Sequence, residues 1–261
     1  MIIPGLVSVT FKTLPPSEII NLVQQADVRA IEWGGDRHVP HGDVKTAQEV
    51  RAMTEEAGLL VAAYGSYYRV GCEGGKSPEF GPVLDTAVAL GAPTIRVWAG
   101  DHSSYEARDS YWRKIERETR RVADLAQEAG ITISFEFHGN TLNDNVDGAR
   151  RLFRSVDHDN IRSYWQPDPK VNVGERLNSL KLLRRRLSNI HVFHWFEGAR
   201  RPLADGEEEW RRYLRIASDT GRDHYALMEF VQEDMPTYFI RDAMVLHGII
   251  TQVHHEIKKR R

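Results

Sequence analysis

A single cysteine, Cys72, stands among 261 residues. It excludes an internal disulfide and any metal site built from clustered thiolates. No apolar run reaches the ~18 residues of a membrane span, and the N-terminus lacks a basic segment followed by an apolar one. The default expectation is therefore a reducing cytoplasm. Neither sign of charge dominates: 35 Lys and Arg against 37 Asp and Glu leave a net charge of −2. No global field draws such a chain to nucleic acid or to an anionic membrane. The only basic run, Lys258-Lys259-Arg260-Arg261, reads as a solvated helix end that suits the C-terminal dipole. Linker composition and low-complexity stretches are missing, so residues 1–261 read as one domain.

What is present is a regular alternation. The strand-like stretches are Leu6–Phe11, Arg29–Trp33, Leu59–Tyr64, Thr94–Trp98, Ile131–Gly139, Ile161–Gln166, Asn189–Trp195 and Tyr225–Val231, short and rich in β-branched and aromatic residues. Amphipathic stretches follow each one, for example Ile19, Leu22, Val23 and Ala26 in the first and Trp112, Ile115, Val122 and Leu125 in the fourth. The first helix is opened by Pro15-Pro16, and the later ones are expected near 45–57, 79–90, 105–129, 146–156, 177–187, 207–219 and 237–257. A helix–Gly–strand junction recurs at Gly58, Gly91, Gly130 and Gly221. Eight βα units in a chain of about this length predict a closed parallel (β/α)8 barrel, the TIM barrel. The doubly wound alternative expects a glycine-rich first turn, and Phe11-Lys12-Thr13-Leu14 is not one. Gly71-Cys72-Glu73-Gly74-Gly75-Lys76-Ser77 is one residue short of a phosphate loop. It reads as a loop or lid at the barrel top.

Sites in such a barrel are built at the C-terminal strand ends. Those ends supply Glu32 and His38, Ser66 and Tyr67, Arg96 and Trp98, Glu136 and His138, Gln166 and Asp168, His191 and His194, and Glu229. The opposite ends are nearly free of such groups. Glu136, Gln166, His191 and Glu229 come one from each of the last four strands, so they converge. Three oxygens and one imidazole form a mostly hard ligand set that suits Mn²⁺, Mg²⁺ or Co²⁺ better than Zn²⁺. Two carboxylates flanking one carbon are also what proton transfer requires. Trp33, Trp98, Trp165 and Trp195 near the strand tops read either as barrel core or as a stacking wall for a sugar.

Across Ile31–Asp36, Tyr64–Arg69, Arg96–Gly100, Phe135–His138, Tyr164–Pro167, His191–Trp195 and Met228–Val231 the chain resembles the xylose-isomerase-like barrels of sugar isomerases and epimerases. In that family the ligands on strands five to eight are typically Glu, Asp, His and Glu. Glu136, His191 and Glu229 match, and Gln166 stands where Asp is usual. Asp168 is the alternative oxygen donor, and His194 the alternative imidazole. The resemblance implies that Glu136 and Glu229 both bind metal and shuttle the proton. Glu32, His38, Ser66, Tyr67, Arg96, Trp98, His138, Asp168 and His194 are expected to contact the substrate. The expected partner is a small-molecule sugar, with no nucleic acid and no membrane; homo-oligomerisation stays open. Three other activities compete: a metal-dependent lyase on a modified sugar, an abasic-site endonuclease with a zinc cluster, and a non-catalytic sugar-binding barrel.

Overall fold

The computed structural model describes residues 1–74 and 77–259. Eight parallel strands close into one barrel in chain order, with the last paired to the first. They are β1 (Ile2–Val7), β2 (Ala30–Gly34), β3 (Leu60–Arg69), β4 (Thr94–Trp98), β5 (Thr132–Phe135), β6 (Ile161–Trp165), β7 (Leu187–Val192) and β8 (His224–Met228). A helix follows each: α1 (Pro16–Gln25), α2 (Val44–Glu56), α3 (Phe80–Leu90), α4 (Asp109–Glu128), α5 (Val146–Val156), α6 (Val173–Leu183), α7 (Glu207–Ser218) and α8 (Pro236–Lys258). None of the described helices is long and apolar enough to cross a membrane. Gly75 and Lys76 of the expected lid, and Arg260 and Arg261 of the basic tail, lie outside the described residues.

Strand periodicity divides the side chains. Outward positions such as Trp33, Ile95, Phe135 and Trp165 are buried in the main core, together with helix residues such as Val83, Trp112, Trp210 and Phe239. The barrel interior holds a much smaller apolar cluster, including Val7, Ala30, Ala62 and Leu227. Its remaining space is taken by buried polar groups, among them Arg96, Ser134 and His191. Trp33 and Trp165 therefore belong to the core. Trp165 packs on Trp210 and Tyr213 and donates to Ser179 Oγ at 2.9 Å.

Several segments differ from the sequence expectation: β3 runs on to Arg69, and β5, β7 and β8 stop at Phe135, Val192 and Met228, three or four residues before the expected ends. The first strand is Ile2–Val7, and Ser8–Phe11 forms a 3-10 turn instead. Pro4 and Gly5 have low strand propensity, but barrel closure onto β8 overrides it, from Ile2 opposite His224 to Leu6 opposite Met228. Gly5 also permits close contact with β2, since a Cβ there would lie 2.5 Å from the Ala30 carbonyl oxygen. Helix α6 begins at Val173, four residues before the expected start, because Asn172 and Glu175 form a reciprocal capping box. Helix α4 begins at Asp109 rather than Tyr105, and Leu125 of its expected buried stripe is exposed.

Candidate active site

The side chains at the C-terminal ends of the strands meet at the floor of a cavity of about 390 Å³. Glu136 is the first residue beyond β5, and its N–H still donates to Val97 O at 3.0 Å. His191 points inward from β7. Glu229 follows β8, with its N–H on Val192 O at 3.0 Å. Ligand atoms of these three residues lie within 4.8 Å of one another, and all three side chains are buried. His191 Nδ1 is 2.9 Å from Gln166 Oε1, 3.3 Å from Glu229 Oε2 and 3.7 Å from Glu136 Oε1. Gln166, not Asp168, is thus the fourth member of the cluster, and His191, not His194, supplies the imidazole.

A second layer lies beneath. Arg96 projects inward from β4 and bridges two carboxylates: its Nε donates to Glu32 Oε1 at 2.7 Å and its Nη1 donates to Glu136 Oε2. Trp98 Nε1 adds a 2.6 Å bond to the same Glu136 oxygen. Gly65 on β3 makes room for this pair, because a Cβ there would lie 2.7 Å from Glu32 Oε1 and 2.9 Å from an Arg96 guanidinium nitrogen. Burial alone would raise the pKa of Glu32, but Arg96 and then His191 outweigh it and hold the group at about 2. Glu136 follows the same logic and is held well below the usual carboxylate range. Burial opposes a charge on His191 as well, but Glu229, Glu136 and Glu32 prevail and raise its pKa well above the ordinary imidazole value.

These residues fit a divalent cation. The buried set holds three carboxylates (Glu32, Glu136 and Glu229) against one guanidinium (Arg96). With His191 neutral, that leaves two negative charges in a low-dielectric site, an arrangement that is costly unless matched. One divalent ion matches it, and a proton on His191 is the partial substitute. Two buried atoms fit a ligating imidazole. Glu32 Oε2 and His191 Nε2 have no hydrogen-bond partner and stand 3.7 Å apart. An Nε2–H directed at that carboxylate leaves Nδ1 as the donor to a metal, the usual way a carboxylate orients a ligating imidazole.

The cavity wall above is aromatic: Tyr67, Trp98, Phe193, Trp195 and Phe230 line it, together with His138 and Lys12. Trp98 packs edge-on to Tyr67 and lies under the Arg69 guanidinium at 4.0 Å. Tyr67 and Phe230 both adopt left-handed backbone, with φ of 54° and 55°, a conformation that costs a bulky residue of order 1–3 kcal/mol. Neighbouring hydroxyls hold them there. Thr10 Oγ1 accepts from Phe230 N at 3.1 Å, while Ser66 Oγ donates to Arg96 O at 2.7 Å and accepts from Tyr68 N.

Several residues expected at the substrate lie elsewhere. Glu32 is beneath Arg96 and fully buried. His38 is engaged by Ser8 Oγ at 3.0 Å and Leu14 O at 3.2 Å, tying the β1–α1 and β2–α2 connections together. Ser66 bonds backbone only. Asp168 lines a separate acidic cleft with Asp144, Asp147 and Glu175. His194 is packed beside Arg176, Glu209 and Trp210 behind the wall. Sequence reasoning missed Lys12, Phe193, Pro169 and Phe230 in the lining. For Phe193 a signal existed: His191, Phe193 and Trp195 alternate, so they share a face. Lys12 offered none, because the β1–α1 turn reveals its direction only in three dimensions.

The family model "Xylose isomerase-like TIM barrel" matches residues 20–247. The chain belongs to that family. No curated protein matches it. Among solved structures, the probable 3-DHS dehydratase AsbF from Bacillus anthracis superposes with a TM-score of 0.78 at 16% identity, covering 95% of this chain and 99% of that one. D-psicose 3-epimerase from Clostridium cellulolyticum H10, solved with D-tagatose, gives 0.69 at 14% identity, with 95% and 98% covered. A xylose isomerase-like barrel protein from Mycobacterium smegmatis, in complex with magnesium, gives 0.73 at 16% identity, with 96% and 97% covered. At these identities the likeness is one of fold.

Proposed function

We propose that the protein is a divalent-metal-dependent isomerase or epimerase of a small hydroxy-ketone sugar. The observation that carries this reading is the convergence of Glu136, His191 and Glu229, with Gln166, at the floor of an aromatic cavity on the catalytic face of the barrel. A divalent ion held by these four side chains would polarise a ketone and its neighbouring hydroxyl, and so ease loss of the proton on the hydroxyl-bearing carbon. Glu229 reaches the cavity wall and takes that proton. Glu136 keeps one oxygen on Arg96 and Trp98 and turns the other toward His191. On the opposite face Glu136 relays a proton from solvent to the carbon, which inverts it, and Glu229 releases its own proton to solvent. Return to the neighbouring carbon exchanges the positions of ketone and hydroxyl instead. The aromatic wall stacks against the C–H faces of the sugar and excludes water.

A second reading is elimination of water by the same enolisation. His138 favours it: its Nδ1 donates to Gly139 O at 2.8 Å, which leaves the other ring nitrogen to carry a proton from solvent to a departing hydroxyl, so that it leaves as water. A zinc-cluster nuclease finds no support, since Glu136, His191 and Glu229 form the one grouping of three His or carboxylate ligands among the described residues. The test is proton NMR of ketoses in deuterated buffer with Mn²⁺. Solvent deuterium entering the hydroxyl-bearing carbon with carbon number and oxidation level conserved supports isomerisation or epimerisation. A dehydrated product supports elimination, and absence of exchange in any ketose rejects the enolisation reading.

A further inference from the structure

The polar groups facing the cavity divide into those already engaged by the protein and those left over. Arg96 is committed to Glu32 and Glu136. His138 has one nitrogen on a carbonyl. Of the lining side chains, the Tyr67 phenol, the Trp195 indole N–H and the Lys12 ammonium make no hydrogen bond or ion pair among the described residues, and of these three only Lys12 is a cation. Lys12 is exposed, so its charge sits at the cavity mouth. Its backbone is anchored, because Arg37 Nε donates to Lys12 O at 3.0 Å. Once a divalent ion balances the three buried carboxylates and Arg96, Lys12 carries the formal charge left over on the cavity lining.

We infer that Lys12 marks an anion subsite and that the substrate is a sugar acid: a hydroxy-ketone with a carboxylate at the end remote from the Glu136–His191–Glu229 cluster. The inference rests on the isomerase or epimerase reading above. A carboxylate fits better than a phosphate for three reasons. Lys12 is the one cation on the cavity lining, among the described residues, that no carboxylate already pairs, and a single point charge matches a monoanion. Barrels of this type commonly bind phosphate with the loops after strands seven and eight. Here the turn after β8 carries Glu233 and Asp234, and the nearby Arg200 is already paired with Asp234. The five rings of the wall offer stacking surface and no further charge. The cavity, about 390 Å³, lies near the small end of the usual range for small-molecule sites. It suits a monosaccharide.

D-Fructose, D-fructuronate and D-fructose 6-phosphate share a ketone and neighbouring hydroxyl and differ at the far carbon, which makes them a matched probe set. Deuterium exchange by the Mn²⁺-loaded enzyme is expected to give the highest kcat/KM with fructuronate. Lys12→Met should lower the fructuronate-to-fructose ratio of kcat/KM by about 5-fold, as loss of a rim ion pair does, and should do so through KM. Lys12→Arg should retain most of the ratio. Equal rates for fructuronate and fructose, or a ratio unmoved by Lys12→Met, would overturn the subsite; preference for fructose 6-phosphate would overturn the carboxylate assignment. If none of the three exchanges, calorimetric binding of fructuronate and fructose decides the subsite separately from the isomerase reading. Tighter fructuronate binding that Lys12→Met weakens upholds it, and any other pattern rejects it.

Discussion

Replacing Arg96 by Met removes the one guanidinium among three buried carboxylates while keeping an unbranched side chain. Glu32 pays the largest penalty, because it is fully buried and Arg96 is the leading influence that holds its carboxylate down. A fall from 4.5 to about 2 is worth ~3 kcal/mol at neutral pH. Breaking a buried pair by removing one partner generally costs 3–5 kcal/mol, so a loss of about 3–4 kcal/mol is expected. With a urea m-value of roughly 2–3 kcal/mol/M, the unfolding midpoint should fall by about 1.5 M. The sign with pH follows from a folded-state pKa lying below the unfolded one. The stabilisation is complete above pH 4.5 and is lost as the pH falls toward 2, so the gap between wild type and Arg96→Met should narrow across that window. Glu32→Gln combined with Arg96→Met should recover part of the loss, because it removes the uncompensated charge. Urea titrations of the metal-free protein at pH 7 and pH 3 decide the matter. A cost below ~1 kcal/mol for Arg96→Met, typical of an exposed pair, would refute the reasoning.

Further outcomes follow from the same geometry. Equilibrium dialysis with Mn²⁺ should find about one ion per chain, with affinity falling as the pH is lowered, because a proton competes for the His191 imidazole that the surrounding carboxylates make strongly basic. Gln166→Asp adds a charge at the oxygen nearest His191 Nδ1 and should tighten Mn²⁺ in the same assay. Glu136→Gln and Glu229→Gln should each preserve the circular dichroism spectrum and lower substrate deuterium exchange by at least ~10²-fold, a typical contribution of a positioned base; undiminished exchange would dismiss the two-carboxylate mechanism. Gly65→Ala drives a Cβ into the Glu32–Arg96 pair and should cost about 1–3 kcal/mol in urea unfolding, as overpacking of a tight interior does.

The architecture was legible because it rests on local, repeated signals. Strand β4 and helix α5 fall where propensity and periodicity put them. The junction glycine Gly91 adopts the left-handed conformation that ends a helix. Strand-end chemistry was legible because the chain leaves β5 and β7 nearly extended, so alternation carries on past the strand ends and puts Glu136 and His138, and Phe193, on the cavity. The start of β1 was hidden, since Pro4 and Gly5 are stabilised there by pairing with β8, more than two hundred residues away. Which residue supplies a donor also waited for the fold. Asp168 and Gln166 are equally good oxygens in sequence, and only the irregular backbone after β6 sends one to His191 and the other into a neighbouring cleft. Glu32 and Arg96 read as substrate contacts because both are polar and near strand tops. Closure of the barrel buries Glu32 beneath Arg96, which still lines the cavity, and a low dielectric makes their charges partners of one another. The sequence by itself determined the repeat, and with it the barrel and the end that carries the chemistry. Charge pairing, depth and the direction of Lys12 were decided by long-range contacts that no local pattern encodes.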